Sequence, residues 1–284
     1  MLIDQKKILP LTVAVLFFVA PVIQGQGNLL HRLESPIIFK GNQKLAYRDP
    51  AILFHNNEFH LFFTLVKTEE DNKIYSYTAQ SVSRDLQHWS KPKIITPKDQ
   101  NLNYCSPGNV VNIKGKWILC LQTYPRPGYT SDQKTMYGTS DARVFIMRSS
   151  DLKTWSNPEL LRVKGPDVNT ADMGRMIDPY LLEDKDEQGK WWCFYKQNGV
   201  SMSYSYDLTT WDYYGHTESG ENVTVLVEND LYVLIHSPSN GIALKRSQDL
   251  KNWSDYGNLI TLGQTKWKWA KGRISAGTVI NLKD

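Results

Sequence analysis

Short apolar segments separated by polar turns follow one another from residue 50 to the end of the chain. Residues 50–54 and 59–64 flank the polar turn at 55–58, and a third segment follows at 74–81. The segments are rich in aromatic and β-branched residues and have the length of strands. Three comparable groups of segments follow, and few stretches show helical periodicity. The pattern therefore predicts an all-β chain.

A seven-residue phrase, Ser-x-Asp-Leu-x-x-Trp, closes each group of segments. Its four copies begin at Ser83, Ser149, Ser205 and Ser247. Regular self-similarity of this kind is typical of propeller blades. After a third strand, the Asp can accept hydrogen bonds from turn amides, and the Trp can pack beneath the turn. We interpret the phrase as a blade-closing turn without a chemical role.

A fifth unit begins near Trp267, and residues 277–282 predict its first strand. The segment 33–39 could add an outer strand to the same blade. The chain ends at Asp284, before two further strands could form, and an open edge next to apolar surface is unfavourable. The prediction is therefore a single domain over residues 28–284, a five-bladed β-propeller whose fifth blade is incomplete because the chain is C-terminally truncated.

The first 25 residues have the features of a secretory signal peptide. Lys6 and Lys7 precede an apolar run over residues 8–23, which ends in a cleavage site of small-residue type. The run is too short to favour a membrane span. We expect residues 1–25 to be removed and the protein to be periplasmic or secreted, with no membrane contact afterwards; the alternative is one uncleaved anchor.

Charge and cysteine content narrow the class of protein further. A net charge of +4 with no basic block gives nucleic-acid binding little support. Cys105, Cys120 and Cys193 cannot all pair within the chain, and their spacing matches no metal motif. We expect three buried thiols.

Acidic residues recur where the first strand of a unit begins. The aligned starts carry Asp49 before Pro50, Ser106 before Pro107, Asp178 before Pro179, and Glu221 at what we take to be the equivalent position. A propeller directs these starts towards one central channel, so three carboxyl groups would share one cleft. Mutual repulsion should raise at least one of their pKa values, as general acid and base catalysis of glycoside hydrolysis requires. An Asp-Pro pair by itself is also a common turn.

The motifs Arg48-Asp49-Pro50, Asp178-Pro179-Tyr180 and Glu221-Asn222-Val223 resemble the three acidic motifs of glycoside hydrolase family 43 and its relatives. The resemblance covers roughly residues 30–284 and implies a carbohydrate substrate of arabinoside or xyloside type. It implies that Asp49 is the general base of an inverting mechanism and Glu221 the general acid. Asp178 would then keep Glu221 protonated.

Other residues are candidates for substrate binding. Arg48 and Arg175 could bind substrate hydroxyls or orient the acids, with plain salt bridges as the alternative. A further set ends or follows second strands: Tyr124, Arg126, Lys196 and His236. Arg273 stands where the family usually has a histidine near a central calcium ion, so no calcium or other cofactor is inferred.

Two other classes of function stay open. One is a carbohydrate-binding propeller without turnover. The other is an enzyme of a sibling propeller clan, a fructosidase or a glycoside phosphorylase, although the Asn-Asp-Pro motif expected in the first blade of a fructosidase is absent.

Overall fold

The computed structural model describes residues 37–134, 139–261, 275–280 and 282. In these residues the protein is all-β, as predicted, and four antiparallel sheets form the blades of a β-propeller. No helix among the described residues is long and apolar enough to cross a membrane.

Each blade is a run of consecutive strands with the first strand innermost. Blade 1 contains β1 (Leu45–His55), β2 (Glu58–Thr68), β3 (Ile74–Ser83) and β4 (Lys93–Ile94). Blade 2 contains β5 (Tyr104–Cys105), β6 (Val110–Ile113), β7 (Lys116–Thr123), β8 (Val144–Ser149) and β9 (Glu159–Leu160); β5 and β6 both pair with β7. Blade 3 contains β10 (Ile177–Glu183), β11 (Trp191–Lys196), β12 (Val200–Ser205) and β13 (Asp212–Thr217). Blade 4 contains β14 (Glu221–Glu228), β15 (Leu231–Ser237), β16 (Ile242–Ser247) and β17 (Ser254–Ile260).

The hydrophobic core lies between neighbouring blades. One cluster joins blades 1 and 2 through residues such as Phe62 and Leu119, both fully buried. A second joins blades 2 and 3, and a third joins blades 3 and 4 around Phe194 and Val225. Burying one such side chain stabilises the fold by about 1.5–3 kcal/mol. The three cysteines are free and buried within this core, as predicted.

The repeated phrase forms the predicted turn between the third and fourth strands of every blade. In blade 3, Asp207 Oδ1 accepts hydrogen bonds from the amides of Thr209 and Thr210, both at 2.7 Å. Ser205 Oγ accepts the amide hydrogens of Asp207 and Leu208. The leucine of each copy has a φ near 60°, which the side-chain hydrogen bonds on either side stabilise.

The predicted fifth blade is not confirmed. Residues 275–280 form no strand, and neither do residues 37–39. Ala276 and Gly277 lie beside blade 4, where Ala276 N donates to Ser237 Oγ at 3.2 Å. Four blades are therefore the observed count in the described part of the chain. The predicted signal peptide, residues 1–25, and Trp267 lie outside the described residues.

Candidate active site

A residue with a distorted backbone lies on or beside the inner strand of each blade. Asp49, Ser106, Asp178 and Asn222 have φ angles of 50°, 43°, 52° and 57°, and Ala276 has a φ of 60°. Such left-handed conformations cost about 1–3 kcal/mol each in residues other than glycine and cluster at functional sites. The strand register shifts at the same points in β1, β10 and β14.

This register corrects one alignment made from the sequence. Asn222, and not Glu221, is the structural equivalent of Asp49 and Asp178. Glu221 pairs with Ser237 as Arg48 pairs with Thr64, one position earlier in the strand. The sequence misled us because blade 4 has Val223 where blades 1 and 3 have a proline, so the acid itself was used for the alignment.

Side chains from the second strands of blades 1 and 2 hold two of these distorted residues in place. Thr64 Oγ1 accepts the amide hydrogen of Ser106 at 2.7 Å, and Gln122 Oε1 accepts that of Asp178 at 2.6 Å. In both cases one blade fixes the backbone of the next. Neither Thr64 nor Gln122 was singled out from the sequence, although both lie in second strands, the elements that supplied other candidates.

The three acidic residues line one cavity of about 440 Å³. Asp49, Asp178 and Glu221 come from blades 1, 3 and 4, so the propeller brings together residues far apart in the chain. Four predicted binding residues also line this cavity: Arg48, Tyr124, Arg126 and Arg175. A volume in this range is typical of small-molecule sites.

Asp49 is oriented by two hydroxyl groups. Thr64 Oγ1 and Ser106 Oγ each donate a hydrogen bond of 3.0 Å to Asp49 Oδ2. Arg48 Nε lies 3.8 Å from the same oxygen. Because all three groups approach Oδ2, the carboxyl group has a defined orientation in the cavity wall.

Asp178 is the buried acid of the site. Its pKa is raised from 3.8 to about 7, mainly by burial. The charges of Asp49 and Glu221 contribute to the rise, whereas a hydrogen bond from the Asn222 amide and the charge of Arg175 oppose it. The expected repulsion between the three acids thus acts on Asp178. The Asn222 amide donates to Asp178 Oδ2 at 2.8 Å, which links Asp178 to the residue following Glu221.

Lys196 and His236 are not among the residues that line the cavity. Lys196 Nζ donates to the carbonyl oxygen of Ser219 at 3.0 Å, and Gly220 N donates to His236 Nδ1 at 2.9 Å. Burial lowers the pKa of His236, in keeping with a neutral ring that accepts this bond. Both side chains therefore hold the backbone that leads into Glu221. Arg273 lies outside the described residues.

The described residues contain no cluster of three or more His, Cys, Asp or Glu side chains arranged to hold a metal ion. A small cavity of about 30 Å³ lies where the inner strands meet, between residues such as Pro50, Pro179 and Gly277. Its volume is comparable to the space that one or two water molecules need.

The fold and the acidic cavity define a glycoside hydrolase-type β-propeller. Residues 42–268 match the family described as glycosyl hydrolases family 32 N-terminal domain, so the chain belongs to this family. The more specific resemblance to family 43 is not confirmed. No curated protein sequence matches the chain.

Several solved structures share the fold. Zg3597, a family 117 glycoside hydrolase of Zobellia galactanivorans, superposes with a TM-score of 0.60 at 14% identity, covering 79% of this chain and 73% of the other. A glycosidase-like protein of Bacteroides thetaiotaomicron gives a TM-score of 0.62 at 13% identity over 86% of both chains. An exo-1,5-α-L-arabinanase from a bovine ruminal metagenomic library gives 0.52 at 14% identity over 79% of both chains. At identities this low, the similarity shows only that the fold is shared.

Proposed function

We propose that the protein is an exported glycoside hydrolase that cleaves arabinoside- or xyloside-type bonds in oligosaccharides or polysaccharides. The observation that carries the proposal is the convergence of Asp49, Asp178 and Glu221 on one cavity large enough for a sugar. Hydrolysis of a glycosidic bond by acid and base needs two carboxyl groups on opposite sides of that bond. Membership of a glycoside hydrolase family supports the same reaction class.

In the proposed mechanism, Asp49 takes a proton from the water that attacks the anomeric carbon, and Glu221 protonates the departing oxygen. The attack inverts the configuration of the anomeric carbon. The two hydroxyl donors on Oδ2 of Asp49 orient this carboxyl group, so that the other oxygen can face the water. Asp178, through its bond to the Asn222 amide, fixes the backbone directly after Glu221.

Purified protein should release the aglycone from one or more aryl arabinosides or xylosides. We expect Asp49→Asn and Glu221→Gln each to lower kcat at least 100-fold, since general acid–base groups contribute about 10²–10⁴-fold. The exposed Asp212→Asn is the matched control and should retain wild-type activity. Binding of sugars without cleavage by the wild type would overturn the proposal in favour of a carbohydrate-binding propeller.

Three further measurements test the finer points. ¹H NMR of the first product formed should show the inverted anomer; retention would instead make Asp49 the group that attacks the sugar. Cleavage that depends on added phosphate would point to the phosphorylase alternative. N-terminal sequencing of protein from the culture medium or periplasm tests export, and an intact residue 1 would contradict it.

A further inference from the structure

One position of the second strand is equivalent in the four described blades. It is the residue that pairs with the one directly before the left-handed residue of the inner strand. The four pairs are Arg48 with Thr64, Cys105 with Gln122, Ile177 with Lys196, and Glu221 with Ser237. Because the register is the same in each blade, the side chains at this second-strand position can be compared directly.

At three of the four positions, a side-chain oxygen accepts the amide hydrogen of a left-handed residue further along the chain. The bonds run from Ser106 N to Thr64 Oγ1 at 2.7 Å, from Asp178 N to Gln122 Oε1 at 2.6 Å, and from Ala276 N to Ser237 Oγ at 3.2 Å. Hydroxyl and carboxamide oxygens are neutral acceptors. A neutral acceptor on one blade is therefore the regular partner of the left-handed amide that follows it.

Blade 3 departs from this arrangement because its second strand has Lys196 at the equivalent position. An ammonium group has three donors and no acceptor, so it cannot bind an amide hydrogen. Lys196 Nζ instead donates to the carbonyl oxygen of Ser219 at 3.0 Å. The amide of Asn222, the left-handed residue that follows, donates to Asp178 Oδ2 at 2.8 Å. The acid has the acceptor role that a neutral side chain has in the other blades.

Asp49 shows what the regular acceptor does for an acid at the same register. Thr64 Oγ1 accepts from Ser106 N and donates to Asp49 Oδ2 at 3.0 Å, so the hydroxyl group lies between the carboxyl group and the next blade. At Asp178, the amide of the next blade binds the carboxyl oxygen directly. The residue at one second-strand position, Thr64 or Lys196, thus gives two equivalent acids different surroundings.

The departure occurs where the chain passes through Glu221. Lys196 binds the carbonyl oxygen of Ser219, two residues before Glu221, and Asp178 binds the amide of Asn222, one residue after it. Both contacts come from blade 3. A backbone that is held on both sides restricts the positions of the side chain between.

We propose that Lys196 is a positioning residue of the active site, which commits the carboxyl group of Asp178 to the Asn222 amide and thereby fixes the backbone on both sides of Glu221. It acts by donating to Ser219 and by offering the amide no acceptor. The inference rests on the proposed function for the role of Glu221 as the general acid. The hydrogen-bond assignment itself can be measured without substrate.

The direct test follows the Asn222 amide by ¹H–¹⁵N NMR during a pH titration. An ionised carboxylate is a stronger acceptor than a protonated one. In the wild type, the Asn222 signal should therefore move as Asp178 ionises, with a midpoint near pH 7. The Ala276 amide, which donates to the neutral hydroxyl of Ser237, is the reference in the same spectra and should move much less.

Two replacements of Lys196 separate the missing acceptor from the lost charge. Lys196→Gln introduces the carboxamide that Gln122 presents at the equivalent position of blade 2, so it should bind the Asn222 amide. The Asn222 signal should then lose most of its dependence on Asp178. Lys196→Met removes the same charge without adding a strong acceptor and should retain that dependence. Lys116→Gln, at the exposed start of β7, is the matched control and should behave as the wild type.

The carboxyl carbon of Asp178 gives a second signal, measured by ¹³C NMR. The hydrogen bond from Asn222 favours the ionised form and so lowers the pKa of Asp178. Its loss in Lys196→Gln should raise the midpoint by about one pH unit above that of Lys196→Met. The other charges that act on this pKa are the same in both variants and cancel in the comparison: Asp49, Glu221 and Arg175.

Kinetics on a cleaved glycoside test the effect on Glu221. Lys196→Met loses the bond to Ser219, so kcat should fall about 10-fold with little change in KM, because the lost hydrogen bond lies at the backbone and not at the sugar. Lys196→Arg retains a cationic donor and should recover most of the activity. A rise in KM with unchanged kcat would show that Lys196 binds substrate, which overturns the positioning role.

The outcomes separate this inference from the proposed function. An Asn222 amide that does not respond to pH near 7 in the wild type overturns the assignment, even if no variant folds. Equal responses in Lys196→Gln and Lys196→Met overturn it as well, whatever the hydrolysis assays show. The expected NMR differences in a protein that cleaves no glycoside support the assignment and contradict the hydrolase. The same differences with an unchanged kcat in Lys196→Met overturn the positioning of Glu221.

Discussion

The backbone amide of Asn222 donates a 2.8 Å hydrogen bond to Oδ2 of Asp178. Asn222 follows Glu221 directly, so the buried acid of blade 3 determines where the candidate acid of blade 4 is held. The same contact crosses the boundary between two blades. Asp178 therefore contributes both to the contact between the two blades and to the candidate site.

Asp178 should make the protein less stable as the pH rises. Its pKa is raised from 3.8 to about 7, so between these values the folded protein retains a proton that the unfolded chain has released. The free energy of unfolding therefore falls over this interval. Asp178→Asn keeps an acceptor oxygen and has no proton to lose, so its stability relative to wild type should increase by about 2 kcal/mol from pH 5 to pH 8.

Urea unfolding at the two pH values measures this difference. The exposed Asp212→Asn is the control and should not reproduce it. The same difference between Asp178→Asn and wild type at pH 5 and at pH 8 would contradict the raised pKa.

The hydroxyl groups that donate hydrogen bonds to Asp49 should matter for catalysis more than for substrate binding. Thr64→Val and Ser106→Ala each remove one hydrogen bond to Oδ2. A hydrogen bond to a charged group contributes about 1.5–3 kcal/mol, so we expect kcat to fall about 10- to 100-fold with little change in KM. Thr64→Ser retains the hydroxyl and should recover most of the activity. A rise in KM with unchanged kcat would show that the hydroxyls bind substrate instead.

Gly108 marks a close approach between blades 2 and 3. A Cβ atom there would overlap the carbonyl oxygen of Pro179 and lie 2.9 Å from Cys120 Sγ. Gly108→Ala should therefore lower the free energy of unfolding by about 3 kcal/mol, because backbone would have to move. No described atom outside the neighbouring residues lies within 4 Å of a Cβ built on Gly215, so Gly215→Ala is the matched control and should change stability little. Similar stability of both variants would refute the close packing.

The cysteines should be unreactive in the folded protein. Burial raises the pKa values of Cys105 and Cys120 to about 12 and that of Cys193 well above its usual value. Thiolates are the reactive form, so a thiol reagent at pH 8 should label none of them until a denaturant is added. All three should then react. Rapid labelling of native protein would contradict this burial.

The regular parts of the fold were predictable because they depend on local chemistry. The phrase that ends at Trp211 forms its turn through hydrogen bonds of its own serine and aspartate. The four copies of the phrase therefore indicated where the four blades end. Alternation of apolar segments and turns likewise predicted strands. The fifth blade was not confirmed, since residues 275–280 lie along blade 4 without pairing as a strand.

The sequence indicated which acids line the cavity, but it did not indicate which residues hold the surrounding backbone in place. Asp49 and Asp178 were recognised by the prolines that follow them, and both line the cavity. Lys196 and His236 were expected at the cavity and instead hold residues 219 and 220. Thr64 and Gln122 were missed because their importance comes from amides on the next blade.

The sequence by itself determined the all-β class and the positions of the blade ends, since each rests on residues close together in the chain. Only the tertiary structure decided that Asn222 shares the register of Asp49 and Asp178, and that burial raises the pKa of Asp178. Register, burial and charge coupling arise between blades. They depend on distances between residues that are far apart in the chain.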